Sequence, residues 1–153
     1  MRIHHFTVPA RDPAKVAAVL AEVLGARVLS LPHPEGTLLV YAGDSDGSAI
    51  EVWPAATRVS VDAHELEQRP ELPLPEAWPH HAYITSDACD TDTILAVFAR
   101  EGWWAEKAHN GPPGSGFSLV RARIENHTGI ELGGSDMRKQ YERFFEQATR
   151  GAA

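Results

Sequence analysis

A chain of 153 residues, 43% hydrophobic and 23% charged, has the composition of one soluble globular domain or of two half-size modules sharing a core. Its net charge of −7, with no cluster of Lys and Arg, argues against nucleic acid and anionic lipid as partners. No apolar run approaches the roughly 20 residues of a membrane span. No basic stretch followed by an apolar one opens the chain, and the lone Cys89 excludes an internal disulfide and a cysteine-built zinc cluster, so a cytoplasmic setting is expected.

The first expected strand is Ile3-His4-His5-Phe6-Thr7-Val8. Asp12 then stands as N-cap and Pro13 as first residue of a helix in which Val16, Ala17, Leu20, Val23 and Leu24 recur at helical spacing, and Gly25 supplies the left-handed stop. Ala26 to Leu31 and Thr37 to Ala42 read as strands, separated by the breaker Pro32-His33-Pro34-Glu35-Gly36. Asp44-Ser45-Asp46-Gly47 reads as a hairpin turn into a strand from Ser48 to Trp53. It is like a calcium loop in composition but lacks the downstream Glu such a loop requires. The order is β-α-β-β-β. Residues 54–79, punctuated by Pro54, Pro70, Pro73, Pro75 and Pro79, show no sustained periodicity and read as a connector.

The plan then repeats. A strand from His80 to Thr85 leads to a helix capped by Asp90 or Asp92, carrying Ile94, Leu95, Phe98 and Ala99 and stopped at Gly102. Trp103 to Ala108 is strand-like, Asn110 to Gly116 a flexible loop, Phe117 to Ile124 a strand, Glu125 to Gly129 a turn, and Ile130 to Gly133 the last strand. His5 and His81, Gly25 and Gly102, and Glu51 and Glu131 stand at nearly constant offset, with the small drift that loop insertions produce. The fold class expected is α+β: modules at 1–53 and 80–134 joined by the connector 54–79 and forming a curved, barrel-like mixed sheet around a central cleft. A C-terminal helix follows from residue 135, with a stripe of Met137, Tyr141, Phe144 and Ala148 for packing or a dimer contact.

Side chains alternate along a strand, so the faces can be sorted. His5 goes with Ile3 and Thr7, His81 with Tyr83 and Thr85, Glu51 with Ala49 and Trp53, and Glu131 with Gly129 and Gly133. The intervening apolar residues suit the helix side, which leaves two imidazoles and two carboxylates on helix-free faces. A bound dication relieves the cost of burying them, so His5, Glu51, His81 and Glu131 are the expected metal ligands. By the same alternation Phe117, Leu119, Arg121 and Arg123 look into the cleft. Arg121 and Arg123 are candidates to hold an anionic substrate group, a carboxylate for example, with surface ion pairs as the alternative reading. His4 and His80 fall on the opposite faces and read as structural. His33, His64, His109 and His127 fall in expected loops or the connector, and the loop of His109 could fold over the cleft.

A duplicated βαβββ unit with His on each first strand and Glu on each last strand resembles the vicinal oxygen chelate superfamily, which includes glyoxalase I, extradiol dioxygenases and the fosfomycin and bleomycin resistance proteins. The set at positions 5, 51, 81 and 131 looks most like bacterial glyoxalase I, which implies one divalent metal: nickel, cobalt or zinc first, iron or manganese as alternatives. Glutathione-using glyoxalases carry Arg four residues after the first ligand His and Asn four after the first ligand Glu; this chain has Pro9 and Ala55 there. The Asp-Pro-Asp-Gly turn usual before the last strand is replaced by Glu125-Asn126-His127-Thr128-Gly129.

The resemblance therefore implies a glyoxalase-like metal-dependent lyase or isomerase acting on a small substrate with vicinal oxygens, not on a glutathione adduct. It makes Glu131 the first choice of catalytic base and Glu51 the second. Trp53, Tyr83 and Phe117 would form an apolar wall. The alternatives are a non-catalytic small-molecule binding or resistance protein, and an Fe(II) ring-cleaving dioxygenase, against which the fourth ligand counts. A homodimer is an expected assembly.

Overall fold

The structure is a computed structural model of the chain and describes residues 5–31, 35–43, 48–59, 66–68, 82–111 and 116–150. The chain divides into two compact units, Met1–Trp78 and Pro79–Ala153, each with its own four-stranded sheet. Among the described residues no helix is long and apolar enough to cross a membrane.

In the first unit, β1 (His5–Ala10) leads to α1 (Pro13–Leu24), followed by β2 (Arg27–Ser30), β3 (Leu38–Tyr41) and β4 (Ala49–Pro54). The sheet order is β1-β4-β3-β2, with β1 and β4 parallel and the other neighbours antiparallel. The helix starts and stops where local chemistry directs. The Asp12 carboxylate accepts the backbone N–H of Lys15 at 3.0 Å, Pro13 needs no amide partner there, and Gly25 takes the left-handed conformation at φ 65°. Asp12→Ala is expected to cost about 1 kcal/mol, read as a lower urea midpoint at unchanged m. Val16, Ala17, Val19, Leu20 and Val23 of α1 are buried, as are Val8, Val40, Ile50 and Val52 from alternate positions of the sheet. One face of the sheet is thus committed to α1.

A short antiparallel hairpin of β5 (Thr57–Val59) and β6 (Leu66–Gln68) follows, within the stretch expected to be an irregular connector. The β-branched Thr57 and Val59 favour extended backbone. Arg58 secures the turn before them by donating from Nη1 to the carbonyls of Ala55 at 2.8 Å and Thr57 at 2.9 Å. The hairpin turn expected at 44–47 lies outside the described residues.

The second unit repeats the order with β7 (Tyr83–Thr85), α2 (Thr91–Arg100), β8 (Ala105–Asn110), β9 (Phe117–Ile124) and β10 (Thr128–Gly133), then adds α3 (Ser135–Arg150). The sheet order is β7-β10-β9-β8, with β7 and β10 parallel, the same topology as the first. Asp90 is the cap of α2. Its carboxylate accepts the Thr93 N–H at 2.8 Å, and that bond holds its pKa below the ordinary carboxyl value, so the cap acts at neutral pH and is lost as pH falls through the lowered value.

Several boundaries differ from the sequence expectation. The strand expected from Trp103 begins at Ala105, because Trp103 closes the end of α2: its N–H donates to the Phe98 carbonyl and its ring packs edge-on against Phe98 at 5.7 Å. The loop expected at Asn110–Gly116 starts later, and His109 lies in β8 opposite Ser118 rather than in a loop. The turn before β10 shortens to Glu125, Asn126 and His127, the first two at positive φ (51° and 57°), and the strand starts at Thr128. Asn126 tolerates that conformation and uses its side chain, accepting the Trp104 N–H at 2.6 Å and donating to the Gly102 carbonyl at 2.8 Å.

Among the described residues the strands of the two repeats form two four-stranded mixed sheets that are not closed by hydrogen bonds into the expected barrel-like sheet. In the second, Val120, Ala122, Ile124, Ile130 and Leu132 are buried on the α2 side with Ile94, Val97 and Phe98. The other side is not helix-free. Tyr141 of α3 packs on Phe117 at 4.9 Å and on Tyr83 at 5.0 Å, Phe144 lies 5.4 Å from Phe117, and Met137 is fully buried. The apolar stripe of α3 is thus used for packing within its own unit.

Candidate functional site

The parallel register of β1 and β4 sets Thr7 opposite Glu51, with His5 opposite Ala49 and Pro9 opposite Trp53. Paired residues share a face, so His5, Thr7, Glu51 and Trp53 stand together on the side of the sheet away from α1, as the alternation required. Leu39 of β3 is the other neighbour of Glu51. His5 Nε2 lies 3.9 Å from Glu51 Oε1. The second carboxylate oxygen is engaged elsewhere: Trp53 Nε1 donates to Glu51 Oε2 at 2.9 Å. The carboxylate is mostly buried at 20% exposure while His5 is open at 58%. Near the end of this face the Thr37 hydroxyl is buried and has no hydrogen-bond partner among the described residues.

The second unit places Glu131 at the corresponding register position, between Tyr83 of β7 and Arg121 of β9. Arg121 Nε approaches Glu131 Oε1 at 3.8 Å, and its Nη2 donates to Asn110 Oδ1 at 2.6 Å. Arg123 is two residues along on the same face, with its guanidinium 5.1 Å from the Trp104 ring centre. Phe117, Tyr83, Tyr141 and Phe144 form an aromatic cluster at the other end. Phe117 is buried, so the wall it was expected to offer is largely covered by α3. The Tyr83 hydroxyl is buried and has no hydrogen-bond partner among the described residues. Burial above all, then the Glu131 and Asp136 carboxylates and Tyr141, push its pKa up to about 12, so at neutral pH it is a phenol O–H able to donate.

Of the expected metal ligands the structure brings His5 and Glu51 together and sets Glu131 at the matching place in its own sheet. His81, like His4, His33, His64 and His80, lies outside the described residues. Among the described residues no group of three or more His, Cys, Asp or Glu side chains is gathered as a metal site. The pair that is present fits an ion. Two donors each about 2.1 Å from one metal stand about 3.0 Å apart at a right angle and at most about 4.2 Å; His5 Nε2 and Glu51 Oε1, 3.9 Å apart, are inside the upper limit and would draw closer around an ion. His109 is removed from the candidates, because its partner Ser118 belongs to the α2 side of the sheet. Asn110, which steadies Arg121, was assigned to a loop in the sequence reading; pairing across β8 and β9 is needed to find it.

No protein-family model matches the sequence, and no curated protein matches it. Solved structures do. A variant of the fosfomycin resistance protein FosX from Listeria monocytogenes, in complex with Mn(II) and 1S,2S-dihydroxypropylphosphonic acid, is 13% identical, with a TM-score of 0.61 over 96% of this chain and 97% of that chain. Lactoylglutathione lyase from Agrobacterium tumefaciens is 16% identical, with a TM-score of 0.55 over 88% of this chain and 94% of that one. TioX from Micromonospora sp. ML1 is 14% identical, with a TM-score of 0.53 over 86% and 97%. The paired βαβββ topology and these likenesses agree: the chain has the fold of the vicinal oxygen chelate superfamily.

Proposed function

We propose that the chain holds one divalent metal through His5, Glu51, His81 and Glu131 and acts as a glyoxalase-like lyase or isomerase on a small molecule with two adjacent oxygens. The observation that carries this reading is the His5–Glu51 pair, with one carboxylate oxygen turned to the imidazole and the other hydrogen-bonded away. The repeat supports the other half. Glu131 has the register position of Glu51, and Tyr83, its β7 partner, stands two residues past His81 as Thr7 stands two past His5. A FosX structure holding Mn(II) and a diol phosphonic acid supports the same chemistry class, two vicinal oxygens beside an anionic group. Nickel, cobalt or zinc is the first choice of ion and manganese or iron the second.

When bound, the ion supplies Lewis acidity for negative charge developing on a substrate oxygen. The residues do the rest. Arg121 holds an acidic substituent, its guanidinium being 46% exposed beside Glu131. Glu131 takes the proton from a carbon that bears one of the two oxygens, with Glu51 as the second candidate. Tyr83 and Trp53 shape the site around the reacting carbon. Pro9 and Ala55, where glutathione-using glyoxalases have Arg and Asn, support a substrate without glutathione.

Elemental analysis of freshly purified protein is expected to find about one divalent ion per chain, and His5→Ala to lose it with an unchanged circular dichroism spectrum. Absence of metal together with undiminished ligand binding in His5→Ala would replace this reading by the second one, a metal-free binding or resistance protein.

A further inference from the structure

Resting on the metal reading above, we propose that Trp53 is the positioning residue of Glu51: it pins one carboxylate oxygen and commits the other to the metal. The two repeats place their glutamates alike but surround them differently. Two residues after Glu51, on the same face of β4, comes Trp53; two residues after Glu131, on the same face of β10, comes Gly133.

An indole N–H can only donate. At 2.9 Å from Oε2 it fixes the carboxylate's rotation and occupies the oxygen that would otherwise turn toward an ion or a proton. Oε1 is then the oxygen presented to His5. A carboxylate held in this way is a one-oxygen ligand with little freedom to swing off and act as a base. Outer partners of this kind typically change metal affinity about 10–100-fold when removed.

Gly133 has no side chain with which to tether Glu131, and none could be added. A Cβ there would stand 2.8 Å from the Tyr83 hydroxyl and 3.0 Å from Met137 Cβ. The place that Trp53 fills in the first unit is taken in the second by a phenol and a thioether. The ion-pair partner of Glu131, Arg121, is a half-exposed guanidinium shared with Asn110, and an anionic substrate can compete for it. Duplicated strands thus differ in what stands beside their glutamates: an indole N–H on Glu51 and a guanidinium beside Glu131.

The test uses the metal alone. Apoprotein is titrated with Mn(II) and followed by electron paramagnetic resonance, comparing wild type with Trp53→Phe, which keeps an apolar ring and removes the N–H. The expected result is a Kd about 10–100-fold weaker in Trp53→Phe, with an altered spectrum of the bound ion and a thermal midpoint close to that of wild type. Equal Kd and an identical spectrum in a folded Trp53→Phe protein would overturn the proposal. Failure of wild type itself to bind Mn(II), Ni(II) or Zn(II) would overturn the underlying metal reading, and this inference with it. Should Trp53→Phe not fold, the indole N–H resonance of Trp53 in wild type reports the same bond. It must move on adding Zn(II) and in Glu51→Gln, and a resonance indifferent to both overturns the assignment.

Discussion

Phe98→Ala is expected to destabilise the second unit by about 3–5 kcal/mol, the largest stability effect of any single change considered for this chain. Phe98 is the largest fully buried side chain, on the inner side of α2, and its ring meets Trp103 edge-on at 5.7 Å. Removing it opens a cavity under α2, on the side of the sheet where Val120, Ala122, Ile130 and Leu132 are buried, and a close-packed core cannot close over a gap of that size. Trp103 loses its partner at the same time and becomes the natural reporter. Urea unfolding followed by tryptophan fluorescence should show a midpoint shifted to lower urea at similar m. A loss under about 1 kcal/mol would mean that α2 is not the main cover of this sheet.

The second large effect is on chemistry. Glu131→Gln is expected to lower turnover by about 10²–10⁴-fold, the usual contribution of a positioned general base, while the far-ultraviolet circular dichroism and thermal midpoint stay near those of wild type. The substitution is isosteric. It deletes the acceptor charge beside Arg121 without touching the buried face of β10, where Ile130 and Leu132 pack. A suitable measurement is solvent deuterium incorporation at the hydroxyl-bearing carbon of small anionic α-hydroxyketones, with metal-loaded protein. Unchanged exchange in Glu131→Gln would take this residue out of the mechanism and pass the role to Glu51. Because Trp53 holds Glu51, the same assay on Glu51→Gln should show its loss chiefly as lost metal, recoverable in part at high metal concentration.

Much of the architecture can be read from local pattern. Asp12-Pro13 and Gly25 bracket α1 because a cap, a ring-fixed φ and a left-handed stop act over a few residues. The face assignment of His5, Glu51 and Glu131 follows from the two-residue period of strands, and the register bears it out within each sheet. Trp53 was legible as a neighbour of Glu51, but its sequence position suggested an apolar wall; the indole N–H aimed at Oε2 depends on a rotamer, which pattern does not specify. His109 and Asn110 were misplaced in a loop because Asn, Gly and Pro cluster just after them, and cross-strand pairing with β9 outweighed that signal.

The largest difference concerns α3. Its stripe of Met137, Tyr141 and Phe144 announced an amphipathic helix, yet nothing local says which surface such a stripe will cover. In the structure it returns onto the Glu131 side of its own sheet, burying Phe117 and enclosing the Tyr83 hydroxyl. By itself the sequence determined the duplicated βαβββ order, the limits of α1 and the faces of β1, β4 and β10 that carry His5, Glu51 and Glu131, because these depend on periods of two and 3.6 residues and on caps a few residues long. Only the tertiary structure decided that the indole of Trp53 holds Glu51, which face α3 covers, and how the described strands pair into two four-stranded sheets, because each of these depends on contacts between residues distant in the chain or on the rotamer one side chain adopts among its neighbours.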